Sequence, residues 1–175
     1  MLYYLCRRRG SGGGREEREM VRRMEPGDRQ AYLNMAERFY RSDAVSHAVP
    51  ASYHARTFDE LLRSDVYVQG YLLELDGKAA GYALTSRSYS AEAGGMTLWI
   101  EELFVLPAYR GHGLGRAFFA HLRAHALQDV ARLRLELTNG NARARALYER
   151  EGFVPLAYEQ MVCDLAPAAS REEGE

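Results

Sequence analysis

Residues 98–107, LWIEELFVLP, run directly into AYRGHGLG, and this junction constrains the fold more than any other part of the chain. The first run has the aromatic and branched side chains of a strand and is closed by a proline. Simple alternation puts Leu98, Ile100, Phe104 and Leu106 on one face and Trp99, Leu103 and Val105 on the other. Both faces are apolar, so the strand is expected inside a sheet that is covered on both sides. The same alternation puts two adjacent carboxylates, Glu101 and Glu102, one on each face. A buried carboxylate is costly unless it is paired, protonated or used. The expectation is therefore one functional and one structural glutamate.

The rest of the chain is read outward from that strand. Residues 20–24 form a short strand ended by EPGD, where Pro26 and Asp28 open a helix. Tyr32, Met35, Ala36, Phe39 and Tyr40 repeat at helical spacing. A second helix is expected over about residues 51–63. Residues 66–75 and 78–88 read as two strands joined at Asp76-Gly77, a strong hairpin signal. After the glycine turn, an amphipathic helix buries Leu114, Phe118, Leu122 and Leu127. Leu133, Leu135 and Leu137 alternate in a further strand. A helix over about residues 141–150 stops at Gly152, and residues 157–165 are expected to close the sheet as a last strand. This order predicts an α/β (α+β) fold: a mixed, mostly antiparallel sheet of about six to seven strands with helices on both faces.

A chain of 175 residues suits a single domain, expected over residues 20–166. Residues 1–19 and 167–175 are expected to be disordered tails, with Met20 a candidate natural start. A formal net charge of −1 gives no general attraction to nucleic acid or an acidic membrane. No apolar run approaches the roughly 18–20 residues needed to span a bilayer, and the N-terminus lacks the order of a signal peptide. The default expectation is the cytoplasm. Cys6 and Cys163 stand far apart without metal-ligand spacing, so neither zinc nor a disulfide framework is expected. His47, His54, His121 and His125 likewise show no metal spacing.

RGHGLG, residues 110–115, follows a buried strand and opens a helix, the setting an anion site requires. It fits neither a Walker A loop, which needs a lysine after its last glycine, nor a dinucleotide fingerprint, because Arg116 stands where the third glycine belongs. What it fits is R-G-x-G-x-G. With Asn141, Ala144, Tyr148, Gly152 and Phe153 in the pattern N-x-x-A-x-x-x-Y-x-x-x-G-F, the sequence resembles the GNAT acetyltransferase superfamily over roughly residues 21–165. The resemblance implies acetyl-CoA as co-substrate and no metal. It implies that Arg110, Gly111, His112, Gly113, Leu114, Gly115 and Arg116 form the turn around the pyrophosphate. The His112 ring is expected to face solvent, and either arginine could be merely solvated. It implies that Leu103, Phe104 and Val105 offer main-chain contacts to the pantetheine arm and an oxyanion donor, and that Asn141 bonds the pantetheine amides beside Ala144. Tyr148 matches the family's tyrosine that points at the sulfur, where its phenol can protonate the departing thiolate. Glu101 matches the base or amine-binding carboxylate, with Glu102 its second.

Acetylating an amine needs these few parts. An alkyl ammonium with a pKa of about 10.4 leaves only about one molecule in 10³–10⁴ as free nucleophile at pH 7, so a base must take the proton. The leading expectation is an N-acetyltransferase acting on a small-molecule amine. A protein or peptide amine acceptor is the same-class alternative, and a non-catalytic acyl-CoA-binding module the alternative from another class. The resemblance places the acceptor pocket on the first two helices and the late hairpin, whose segments hold Glu37, Asp43, Asp59, Glu60 and several tyrosines, a composition suited to a cation. A homodimer is compatible with the family and is not legible in the residues.

Overall fold

The computed structural model describes residues 20–42, 44–45 and 49–165. Cys6, Asp43, His47 and both expected tails lie outside the described residues. A five-stranded sheet runs in the order β1 (Val21–Arg23), β2 (Gln69–Leu75), β3 (Lys78–Ser90), β4 (Gly95–Val105) and β5 (Val130–Leu135). Neighbours are antiparallel except β4 and β5, which are parallel. Parallel strands need a crossover, and α3 (Leu114–His125) supplies it. The β2–β3 hairpin turns at Asp76 and Gly77, both left-handed at φ 52° and 73°, as a tight two-residue turn matched to strand twist demands.

Helices cover both faces. α1 (Arg29–Tyr40) and α2 (Ala51–Arg63) bury Tyr32, Met35, Phe39 and Phe58 against Leu72, Tyr82, Leu84 and Phe104. On the other face, α3 and α4 (Ala142–Arg150) pack Phe118, Phe119, Leu122 and Tyr148 against Tyr71, Leu73, Leu98 and Ile100. The entry to α1 is fixed by Asp28, whose carboxylate takes the Arg22 guanidinium at 2.8 and 2.9 Å and the Glu25 N–H at 2.8 Å. α4 ends as expected at Gly152 (φ 93°), with Gly152 N–H bonded to Glu149 O and Phe153 N–H to Tyr148 O.

Two expectations are corrected. Among the described residues the sheet has five strands, not six to seven, because residues 157–165 do not pair. Tyr158, Met161, Val162 and Leu165 there lie exposed. The second correction concerns β4. Leu84 pairs with Glu102 and Thr85 with Ile100, so Glu101 is the extra residue of a β-bulge. Side-chain parity flips there. Leu98 and Ile100 join the α3/α4 core, whereas Phe104 joins the α1/α2 core. Glu101 and Glu102 therefore share one face instead of opposite faces.

Candidate active site

The bulge sits where β4 leaves its parallel neighbour. Pairing of β4 with β5 ends at Ile100↔Leu135, so residues 101–105 have no partner on that side among the described residues. Leu106 N–H bonds Ala80 O across β3 at 2.9 Å. Alternation then turns the N–H groups of Leu103 and Val105 away from β3, into the gap. The gap widens into a cavity of about 1210 Å³ between β4, the end of α1 and the N-termini of α3 and α4.

Its floor is the glycine turn. Gly111 and Gly113 hold φ of 89° and 80°, a region that costs any residue with a Cβ, and a Cβ built at either meets nothing within 4 Å. Gly113 is also the N-cap of α3, leaving the helix's first N–H groups aimed outward. Gly115 serves packing instead, since a Cβ there would lie 2.7 Å from Leu147. Arg110, Arg116, Arg143 and Arg150 line the same cavity. Arg110 Nε bonds Val105 O at 3.0 Å, while Arg116, Arg143 and Arg150 have no carboxylate partner among the described residues. Open backbone amides ringed by unneutralised guanidiniums are what a pyrophosphate with a further phosphate requires, so these residues fit CoA.

Of the residues singled out in the sequence, Leu103, Phe104, Val105, Arg110, Gly111, Gly113, Leu114, Gly115, Arg116, Asn141, Ala144 and Tyr148 all line this cavity. His112 does not; its ring nitrogen turns back to Tyr109 O at 3.2 Å. Asn141 caps α4, its side-chain oxygen accepting from Ala144 N–H at 3.1 Å. Tyr148 is buried, 9% exposed, with its ring packed among Phe119 and Phe153. Burial pushes its phenol up to about 12, so it holds its proton at neutral pH. Sequence reading overlooked Tyr109, Arg143 and Arg150. The two arginines are seven positions apart on α4, one helical face, a signal that was available.

A second cleft of about 440 Å³ opens beside the first, lined by Arg56, Thr57, Glu60, Tyr67, Ser86, Glu101 and Glu102 among others. Glu101 is exposed at its mouth and accepts from Ser86 Oγ. Glu102 is deeper and accepts from Tyr40 and Tyr82. Burial raises the Glu102 carboxyl above its ordinary range; the two phenols act against that shift and the Glu101 charge adds to it. Of the expected acceptor acids, Glu60 lines the cleft and also pairs with Arg63. Glu37 and Asp59 pair instead with Arg41 and Arg29. Residues 154–165 line neither cavity.

Known acetyltransferases share this fold. The sequence model of the Acetyltransferase (GNAT) family matches residues 30–153, and the chain belongs to that family. Members of the family use acetyl-CoA. The chain is 28% identical over 141 residues to a thialysine N-epsilon-acetyltransferase of Bos taurus, covering 76% of this chain and 82% of that protein. It is 42% identical over 79 residues to streptothricin acetyltransferase of Streptomyces lavendulae, covering 45% of this chain and 40% of that one, so the match spans less than half of that relative. Among solved structures, an aminoglycoside N-acetyltransferase in complex with CoA superposes with a TM-score of 0.67 at 17% identity, over 83% of this chain and 94% of that one, a likeness of fold. Among the described residues no helix is long and apolar enough to cross a membrane, and no group of His, Cys, Asp and Glu is arranged to hold a metal ion.

Proposed function

We propose that this chain transfers the acetyl group of acetyl-CoA to a primary amine of a small molecule, in the cytoplasm, by direct attack of the amine. One observation carries the reading. A single strand lines both cavities, with Leu103, Phe104 and Val105 in the larger one and Glu101 and Glu102 in the smaller. An acyl donor and an amine acceptor held in the two would meet across β4. The small, acid-lined cleft favours a compact cationic acceptor over a peptide, and the thialysine and streptothricin relatives point the same way.

Bound acetyl-CoA supplies the thioester that the amine attacks. The Arg116, Arg143 and Arg150 guanidiniums and the α3 N-terminus hold its phosphates. The Leu103 and Val105 N–H groups are oriented to donate to the carbonyl oxygen as charge develops there. Glu101 attracts the ammonium at the cleft mouth, and Glu102, deeper and on the same face, takes the amine proton. Tyr148, protonated at neutral pH, returns a proton to the thiolate. This reading moves the base to Glu102 and keeps Glu101 as the amine-binding carboxylate; a purely structural Glu102 would require the opposite faces that the bulge removes.

The test is thiol release from acetyl-CoA against a panel of thialysine, lysine, streptothricin, an aminoglycoside and a lysine-containing peptide. Release is expected with a small amine and far less with the peptide. Acetyl-CoA binding without release for any amine would make the chain a binding module instead.

A further inference from the structure

Glu102 is held more tightly than proton transfer alone requires. Tyr40 Oη donates to its Oε1 at 2.8 Å, and Tyr82 Oη donates to its Oε2. Each carboxylate oxygen thus has one phenol of its own, and the two phenols come from different elements, α1 and β3. Both rings are fixed in turn. Tyr82 is fully enclosed and stands edge-on to Tyr32, with centroids 5.2 Å apart. Tyr40 is half-buried and packs on His54 at 5.0 Å and edge-on to Phe39 at 5.2 Å.

We propose that Tyr40 and Tyr82 are positioning residues for amine acetylation, clamping the Glu102 carboxylate in one rotamer and setting the pH at which it can accept the amine proton. The proposal rests on the reading of Glu102 as base. A glutamate side chain on a half-open cleft otherwise samples several rotamers, and a base must stay within hydrogen-bond reach of the proton it takes. A carboxylate has two oxygens and about four acceptor sites. One phenol on each oxygen fixes the plane of the group and leaves each oxygen a lone pair.

The surroundings make the phenols decisive. From α1, Tyr32 and Tyr40 face the carboxyl, and from β3, Tyr82 and Ser86. From β4 there is Glu101. From α2 and the loop after it come His54, Arg56, Glu60 and Tyr67. His54 is buried and held below its ordinary range, with Glu37 opposing that shift, so it adds no charge at neutral pH. Arg56 lies over the Tyr53 ring at 4.5 Å. No side-chain cation bonds Glu102 among the described residues. Burial and Glu101 disfavour the charged form, and the two O–H donors favour it. Removing a phenol therefore raises the pH at which Glu102 becomes a base.

Protein labelled with δ-¹³C-glutamate reports the Glu102 carboxyl directly, its resonance assigned by loss in Glu102→Gln. Tyr40→Phe and Tyr82→Phe are each expected to raise the titration midpoint by about one pH unit or more, the scale of one hydrogen bond to a charged group. The acid limb of kcat/KM with acetyl-CoA and thialysine is expected to move by the same amount. In the Glu102→Gln background, Tyr40→Phe should no longer move that limb. If the enclosed Tyr82→Phe variant does not fold, Tyr40→Phe carries the measurement alone. A midpoint and limb that stay in place in Tyr40→Phe overturn the clamp, because lost packing lowers stability without moving a carboxyl titration. The titration needs no turnover, so a chain that acetylates nothing would overturn the functional reading while the clamp was still measured.

Discussion

Tyr148 combines a place in the core with the role of acid in the proposed mechanism. Its ring belongs to the α3/α4 core, beside Phe119 and Phe153, and the residue also lines the CoA-sized cavity. With its phenol pushed up to about 12 by burial, it is poised to give a proton and not to take one. Tyr148→Phe keeps the packing and removes only the oxygen. It is expected to leave acetyl-CoA affinity intact and lower kcat by about 10²–10⁴, the range for a general acid. A kcat within about threefold of the parent would make Tyr148 a packing residue, since that loss lies far below the acid's usual contribution. The part of the site that was legible in the sequence is of this local kind. Gly111 and Gly113 stand in one six-residue turn and take the left-handed backbone glycine allows, and Asn141, Ala144 and Tyr148 lie on one short helix and its cap. Tyr82 was not legible as a site residue, and Tyr40 only as one of several tyrosines in the expected acceptor segments. They reach Glu102 from 62 and 20 positions away, and in their own segments each reads as an ordinary core aromatic.

At the scale of elements, the bulge in β4 decides that Glu101 and Glu102 share one face. A period-two reading of residues 98–107 finds the strand and its burial correctly, yet one unpaired residue reverses every side chain beyond it. Nothing in the letters EE distinguishes one carboxylate per face from two on one face; the distinction is made by the register against β3. The unformed strand at residues 157–165 has a similar cause, because alternation marks side chains fit for a sheet without naming the edge that would receive them. Beyond the bulge, the close approach of β3 to β4 depends on Gly81. A Cβ there would strike the Phe104 carbonyl oxygen and lie 3.1 Å from the Val105 Cα, backbone that cannot swing aside. Gly81→Ala is therefore expected to push β4 from β3 at the oxyanion donors. A cost of about 1–3 kcal/mol is expected, the scale of overpacking, read as a lower denaturation midpoint at unchanged m. Turnover should fall further than stability explains, because Leu103 and Val105 shift with the strand. Unchanged stability and rate would show that β3 and β4 yield there freely.

For the whole molecule, acetyl-CoA is expected to act as a cross-strut. The larger cavity is walled by the end of α1, by β4, and by α3 and α4, elements that belong to two separate cores on opposite faces of the sheet. A ligand bound only by the native arrangement stabilises it by about 2.7 kcal/mol at a hundredfold excess over Kd. For a domain of this size that corresponds to a rise in Tm of roughly 5–10 °C. The rise should shrink as salt is added, because the proposed phosphate contacts are to exposed arginines. Gly113→Val separates this binding from general stability. Valine at φ 80° is strained, and its side chain would occupy the space above the α3 N-terminus that a Cβ finds empty. The variant should have a somewhat lower Tm without ligand and no rise with acetyl-CoA. A full rise in Gly113→Val would mean that the phosphates lie elsewhere along the cavity, beside Arg143 and Arg150, and that the turn shapes α3 without touching the cofactor.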